Sequence, residues 1–358
     1  MSLKITQAVW SLHRAGAERV VVDLLKEYRA RGHEVRLLTA CGGGALEEEI
    51  KALGIKYILG PETRNRFKTM AFFAHELKRA RPDIFHTHLG ADLWGGRVAT
   101  RLRISPWVIT AHNDDKREPF LRQAFRGMMF RRADRVVCVS NAVKRYAREE
   151  FRVPESRLSI IRNGIDLSIL QERPANEFSD VPRILCIGRL TAQKGQDILL
   201  RALARHTRPW KLELLGEGPD RSALERLAES LGIAPRVTFA GSVTNIAERL
   251  AHADLVCVPS RWEGQSLVLL EAAGSAVPLL VQNLAVFHEV FDEGTLRFVD
   301  GATPLAWARA IEDTLDHPTE ALMRALHAKE RVEHSFTRSR MAEEYLSCYQ
   351  NLLNEKRV

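Results

Sequence analysis

Two carboxylates, Glu263 and Glu271, flank seven residues in the stretch SRWEGQSLVLLEAAGSAVP, residues 260–278. The run DLVCVP before them has the apolar, β-branched composition of a strand, and LVLLEAAGSA after them has that of a helix that Ser266 is placed to cap. Glu263 therefore falls in a loop at a helix start, where unpaired N–H groups and the positive end of the helix dipole favour phosphate, and where the side chain is free to reach a ligand. Glu271 falls inside the apolar run, where an uncompensated carboxylate is costly and needs a partner or a wet cleft. A capped structural helix with one satisfied Glu accounts for the same residues. Upstream, in IGRLTAQKG (187–195), Gly188 and Gly195 bracket Arg189 and Lys194, so two cations can converge where a diphosphate would lie. Each alone also suits a solvated surface charge. His86 and His88, two apart on a strand, share a face, but no third ligand stands near them in sequence, which favours a structural or cleft-wall role over a metal site. His112 ends a strand, where side chains face a cleft or bond a neighbouring backbone group.

The elements that must position these groups come in two sets. In residues 1–165 the runs LKITQAVW, EVRLLTA, KYILG, DIFHTHLG, WVITAHN, RVVCVS and LSIIRNG alternate with amphipathic helices, the pattern of a doubly wound parallel sheet. The first helix carries Val20, Leu24, Leu25 and Tyr28 on one face and stops at Gly32. No G-x-G-x-x-G opens it, which disfavours a nicotinamide dehydrogenase. The composition shifts over residues 166–182, and a second alternation follows, with strands RILCIGRL, WKLELLGEG, RVTFAGS, DLVCVP, PLLVQN and LRFVD.

The spacing of Glu263 and Glu271 resembles the donor-site signature of the family 4 glycosyltransferases, retaining enzymes of the GT-B fold. The resemblance recurs in order along the chain, in RAGAERVVVDLLKEYRARGHEVRLLT (14–39), FHTHLG (85–90), TAHN (110–113), ADRVVCVS (133–140), IIRNGID (160–166), IGRLTAQKG and LLGEGP (214–219). Together these run from the first strand to the last helix, and the set is far more specific than any single Gly-rich turn. The resemblance implies α/β fold class with GT-B architecture: two Rossmann-like doubly wound parallel-sheet domains facing across a cleft. The expected bounds are an acceptor-binding domain over 1–166, rejoined by a C-terminal helix over 340–358, and a nucleotide-sugar-binding domain over 167–339.

The resemblance also implies roles. Gly16, Gly188, Arg189, Lys194, Glu263, Gly264, Gln265, Ser266, Leu267 and Glu271 would bind the donor. Within that set Arg189 and Lys194 hold its diphosphate, Glu271 the ribose, and Glu263 with the backbone of Gln265 and Ser266 the sugar. His112 lies near the sugar hydroxyls, and Glu263, His112, Arg189 and Lys194 form the catalytic set. No metal and no cofactor beyond the nucleotide sugar itself is expected. Two departures bear on specificity: Ala15 replaces the first of two Gly usual before the first helix, and Gln265 and Ser266 stand where many relatives have an aromatic residue and then Gly or Pro.

Composition sets wider limits. A chain of 358 residues, 45% hydrophobic, is too long for one ordinary core. The five Cys are scattered, with no metal spacing or disulfide framework, as in a reducing cytoplasm. MSLKITQAVW lacks the apolar core of a secretory signal, and no run approaches the roughly 20 residues of a membrane span. Residues 1–165 hold 31 Lys and Arg against 18 Asp and Glu, while 166–358 hold 22 against 27, so the first half is the one suited to an anionic partner. No nucleic-acid motif accompanies the basicity. Two segments, 64–81 and 116–135, mix Phe and Met with basic residues at helical spacing, which suits an anionic membrane surface or a core-facing stripe with a solvated back. The expected protein is a cytoplasmic glycosyltransferase, peripheral on the inner face of the membrane, acting on a glycan or lipid-linked acceptor. The rivals are a GT-B epimerase or phosphorylase and a non-catalytic nucleotide-sugar-binding partner.

Overall fold

The computed structural model describes residues 2–13, 15–63, 65–113, 119–171, 173 and 178–356. The chain divides into two compact units, Met1–Ile165 with Arg338–Val358, and Asp166–Thr337.

The first unit is built on seven parallel strands: β1 (Lys4–Val9), β2 (Glu34–Thr39), β3 (Lys56–Ile58), β4 (Ile84–His88), β5 (Trp107–Ala111), β6 (Arg135–Cys138) and β7 (Leu158–Ile160). Their order, β3-β2-β1-β4-β5-β6-β7, reverses direction at β1 and β4, the switch point at which open α/β sheets bind ligands beyond their carboxyl ends. The helices between them are α1 (Gly16–Ala30), α2 (Glu47–Ala52), α3 (Arg66–Ala80), α4 (Ala91–Leu102), α5 (Phe120–Phe130) and α6 (Asn141–Glu149). Strands covered on both faces lose the polar alternation of half-exposed ones, so β4 and β5 are buried throughout. On one face, Phe73, Phe85 and Trp107 anchor the core under α3 to α5. Truncating such a ring to Ala costs about 3–5 kcal/mol. On the other, Val20, Leu24, Leu25 and Tyr28 of α1 are fully buried, and Gly32 follows the helix's C-cap residue Arg31 with a φ of 82° that suits a residue without Cβ.

The second unit carries six parallel strands: β8 (Arg183–Ile187), β9 (Lys211–Leu215), β10 (Val237–Gly241), β11 (Leu255–Val258), β12 (Leu279–Gln282) and β13 (Arg297–Val299), ordered β10-β9-β8-β11-β12-β13. Its helices are α7 (Gln196–Leu203), α8 (Arg221–Ser230), α9 (Ile246–Ala251), α10 (Leu267–Gly274), α11 (Ala285–His288), α12 (Pro304–Asp316) and α13 (Pro318–Ser335). Trp210, Trp307 and the Leu-rich face of α7 fill its core. Thr303 caps α12 through Ala306 N, followed by Pro304, whose missing N–H costs nothing at that position.

The last helix, α14 (Arg338–Glu355), belongs to the first unit and packs on α1. Its Tyr345 and Tyr349 are fully buried, and the Tyr349 hydroxyl meets that of Tyr28 at 3.1 Å.

Candidate functional site

In the second unit the loops after β8, β9 and β11 are drawn together by close backbone contacts that only glycine permits. A Cβ on Gly216 would stand 2.2 Å from Gly188 O, and one on Gly195 2.1 Å from Pro259 O. Gly188 and Gly195 also have φ of 151° and 68°. The β8 loop is therefore pressed onto the loop that carries Glu263. Further bonds lock the two together. Arg261 N donates to Gln193 O at 2.7 Å, Gln193 Nε2 to Trp262 O at 3.0 Å, and the Arg261 guanidinium makes a two-pronged pair with Asp197 at 2.9 and 2.8 Å.

Lys194 Nζ lies 2.5 Å from Glu263 Oε1, and Ser260 Oγ donates to the same oxygen at 2.7 Å. Glu263 is thus buried and held, not loose in its loop as the sequence suggests. The reason is proximity across the clasped loops: a carboxylate with only 6% of its side chain exposed requires a cation and a donor, and both are supplied. Arg189 differs. Its side chain is exposed, and among the described residues its guanidinium has no hydrogen-bond or ion-pair partner. Gly264 is buried beside Glu263, Gln265 is half-buried, and Ser266 caps α10 by accepting from Leu269 N. The cap leaves the first N–H groups of α10, from Leu267 on, without intrahelical partners. Glu271, one turn further, is half-buried on that helix.

In the first unit, Gly16 is the first residue of α1 and is exposed, after Ala15 in extended conformation and without a side-chain cap. Glu18, in the same first turn, is buried, and burial raises its carboxyl above the usual range. His112 follows β5 and keeps a partly exposed edge, and burial of its ring brings its pKa down to about 4. The imidazole is therefore neutral near pH 7. His86 and His88 are fully buried. Among the described residues no cluster of three or more His, Cys, Asp or Glu could hold a metal ion.

The sequence pointed to the glycines, the two cations and the two Glu, and the structure brings Lys194 and Glu263 together. It did not point to Ser260, Gln193 or Arg261. The signal for Ser260 is a hydroxyl three residues before a loop carboxylate, and the other two are legible only once the β8 and β11 loops are known to touch.

Two family models match, "Glycosyltransferase Family 4" over residues 14–169 and "Glycosyl transferases group 1" over 181–317. A D-inositol 3-phosphate glycosyltransferase of Mycolicibacterium smegmatis is 28% identical over 305 residues, covering 77% of this chain and 69% of the relative. An O-antigen biosynthesis glycosyltransferase of Escherichia coli is 28% identical over 233 residues, covering 62% and 63%. Among solved structures, HepE of Anabaena in complex with UDP and glucose superposes with a TM-score of 0.89 at 19% identity, covering 98% of this chain and 100% of that one. At that identity the likeness is one of fold, the GT-B architecture of two Rossmann-like domains.

Proposed function

The chain belongs to the family 4 glycosyltransferases, and from that membership and the site above we propose that it moves a sugar from a nucleotide-sugar donor to a hydroxyl of an acceptor with retention of anomeric configuration. The observation that carries this reading is the cluster at the ends of β8 and β11. There exposed Arg189, the Lys194, Glu263 and Ser260 contact, and the open start of α10 lie on loops locked to one another. Cations and N–H groups suit a diphosphate, and carboxylates suit hydroxyls.

In this scheme Arg189, Lys194 and the α10 N-terminus take up the charge of the departing diphosphate, the part a metal plays elsewhere. Glu271 binds the ribose hydroxyls, Glu263 orients the sugar, and Gly188, Gly264 and Gln265 shape the loops around them. Lys194 need not leave Glu263 to act, because an ammonium has three donors and can bridge carboxylate and phosphate. His112 and Gly16 keep the roles that the family resemblance implies, His112 near the sugar hydroxyls and Gly16, at the open start of α1, toward the donor.

The relatives' names point toward inositol phosphate and O-antigen chemistry, and the HepE complex toward a UDP-hexose. A hexosyltransferase acting on an envelope glycan or lipid-linked acceptor fits these and the basic first half. Peripheral attachment to the inner face of the membrane is part of the same reading. Phe73, Met129 and Phe130 are buried in the core, whereas Phe67 at the start of α3 and Phe120 and Leu121 at the start of α5 are exposed beside Arg66, Lys68 and Arg122. Among the described residues no helix is long and apolar enough to cross a membrane.

The test is product analysis with a panel of nucleotide sugars, first alone and then with envelope glycolipid extract. Acceptor-dependent glycosylation with the donor's anomeric configuration kept supports the proposal. Conversion of the donor alone identifies an epimerase, phosphate-dependent release a phosphorylase, and binding without turnover on any substrate a non-catalytic partner. Flotation with anionic and neutral vesicles at low salt checks the membrane reading, and equal binding to both would end it.

A further inference from the structure

Strands β4 and β5 run parallel with His88 opposite Thr110, and His112 lies two residues beyond Thr110. His86, His88, Thr110 and His112 therefore crowd one side of the sheet, the side packed against α14. His88 Nδ1 stands 3.0 Å from His112 Nε2. Between two neutral imidazoles such a contact holds a single proton, so one ring donates and the other accepts.

We infer that His88 is a positioning residue that keeps the proton of His112 on Nδ1, so that His112 meets its ligand as a hydrogen-bond donor. The inference rests on the proposed role of His112 at the sugar. His88 is fully buried, and its Nε2 has no partner among the described residues. If that nitrogen carried the proton, an N–H would be buried without an acceptor. If Nδ1 carries it, only a lone pair goes unmet, which folded proteins tolerate more often. The second arrangement makes His88 the donor to His112 Nε2, and a neutral His112 then holds its own proton on Nδ1.

The His88 ring cannot readily turn to offer its other nitrogen. It lies 4.0 Å, centroid to centroid, from His86, which is bonded at both nitrogens: Nδ1 to the Tyr349 hydroxyl at 2.6 Å and Nε2 to Thr110 Oγ1 at 2.7 Å. Thr110 Oγ1 in turn meets the Tyr345 hydroxyl at 2.9 Å. Two tyrosines of α14 thus fix His86, and His86 backs His88. Burial holds both rings well below the usual histidine range, so both stay neutral.

The experiment combines ring-nitrogen NMR of histidine-labelled protein with initial rates for the wild type, His88→Phe, His88→Asn and His112→Ala. The wild type should show His112 protonated at Nδ1. Phe keeps the tilted ring contact with His86 but removes the donor, so His88→Phe should move the His112 proton toward Nε2. Its turnover should fall about tenfold or more, as with other wrong-tautomer variants, while the donor KM changes little. Asn places an amide donor near the Nδ1 position and should recover most of the turnover and the wild-type ring signals. A wild-type His112 protonated at Nε2 overturns the inference without recourse to any variant, and so does a His88→Phe protein with unaltered ring signals. Full activity in His112→Ala would instead remove the role proposed for His112 and leave the ring signals to decide the tautomer.

Discussion

Lys194 Nζ and Glu263 Oε1 are 2.5 Å apart, so the cation assigned to the diphosphate and the carboxylate assigned to the sugar are bound to each other before any ligand arrives. The pair is mostly buried, with side-chain exposures of 20% and 6%, and Ser260 completes it. Each partner holds the other in place, and removing one changes the charge presented to the donor.

Glu263→Gln should therefore leave nucleoside diphosphate binding unchanged or tighter, because a negative charge near the phosphates is lost and Lys194 is released to them. Turnover should fall by about tenfold or more, since a contact that orients the sugar matters most as the glycosidic bond breaks. Glu271→Ala should do the opposite and weaken nucleoside diphosphate by about 1.5–3 kcal/mol for each hydroxyl bond lost. Calorimetric titration with nucleoside diphosphate and initial rates on both variants decide it. A Glu263→Gln protein that no longer binds, beside a Glu271→Ala protein that binds normally, would reverse the two roles.

Asp254 offers a stability test away from the site. It is 1% exposed and accepts from Arg173 Nη2 at 2.6 Å, Ser179 N at 3.1 Å and Arg183 N at 2.8 Å, tying the entry of the second unit to its sheet. Asp254→Ala strands a buried guanidinium and should cost about 3–5 kcal/mol. The exposed Arg208 and Asp316 pair should contribute under about 1 kcal/mol. Urea unfolding of Asp254→Ala and Arg208→Ala measures the contrast, and equal losses would refute it.

Three clustered histidines of the first unit, His86, His88 and His112, predict acid sensitivity. His112 is lowered to about 4, and His86 and His88 are held well below 6.5, all chiefly by burial. Near pH 7 the folded chain leaves them neutral, and the unfolded chain protonates them only in part. As pH falls below about 6.5, the unfolded chain takes up protons that the folded one refuses, so stability present at neutral pH is lost on acidification. Each such group contributes up to about 1.4 kcal/mol per pH unit. Urea midpoints at pH 7.5 and 5.5 should differ accordingly, and the difference should shrink in His86→Gln. Midpoints independent of pH over that range would contradict the account.

Among the described residues, all thirteen strands stand where the sequence places them. Parallel strands buried on both faces read as unbroken apolar runs, a signal that local composition carries in full. Segments 64–81 and 116–135 resisted the same treatment, because a stripe of Phe and Met looks alike whether it meets a sheet or water. In fact each helix divides, with Phe73 and Phe130 in the core and Phe67 and Phe120 outside it. At the site, residue types were legible and pairings were not. Lys194 and Glu263 are 69 positions apart and His88 and His112 are 24, and only the packing of loops or the register of β4 on β5 brings each pair into contact.

The return of α14 to the first unit also orders the steps of folding. Residues 166–337 form a continuous stretch whose core draws nothing from α14, so the second unit can fold without it. The first unit, although begun earlier, waits for Tyr345 and Tyr349 to cover His86 and Tyr28. Until then its sheet has an open flank that chaperones and proteases can find. A released chain truncated after residue 337 should accordingly yield a protease-resistant second unit and a digested first one, although the first unit begins earlier in the sequence.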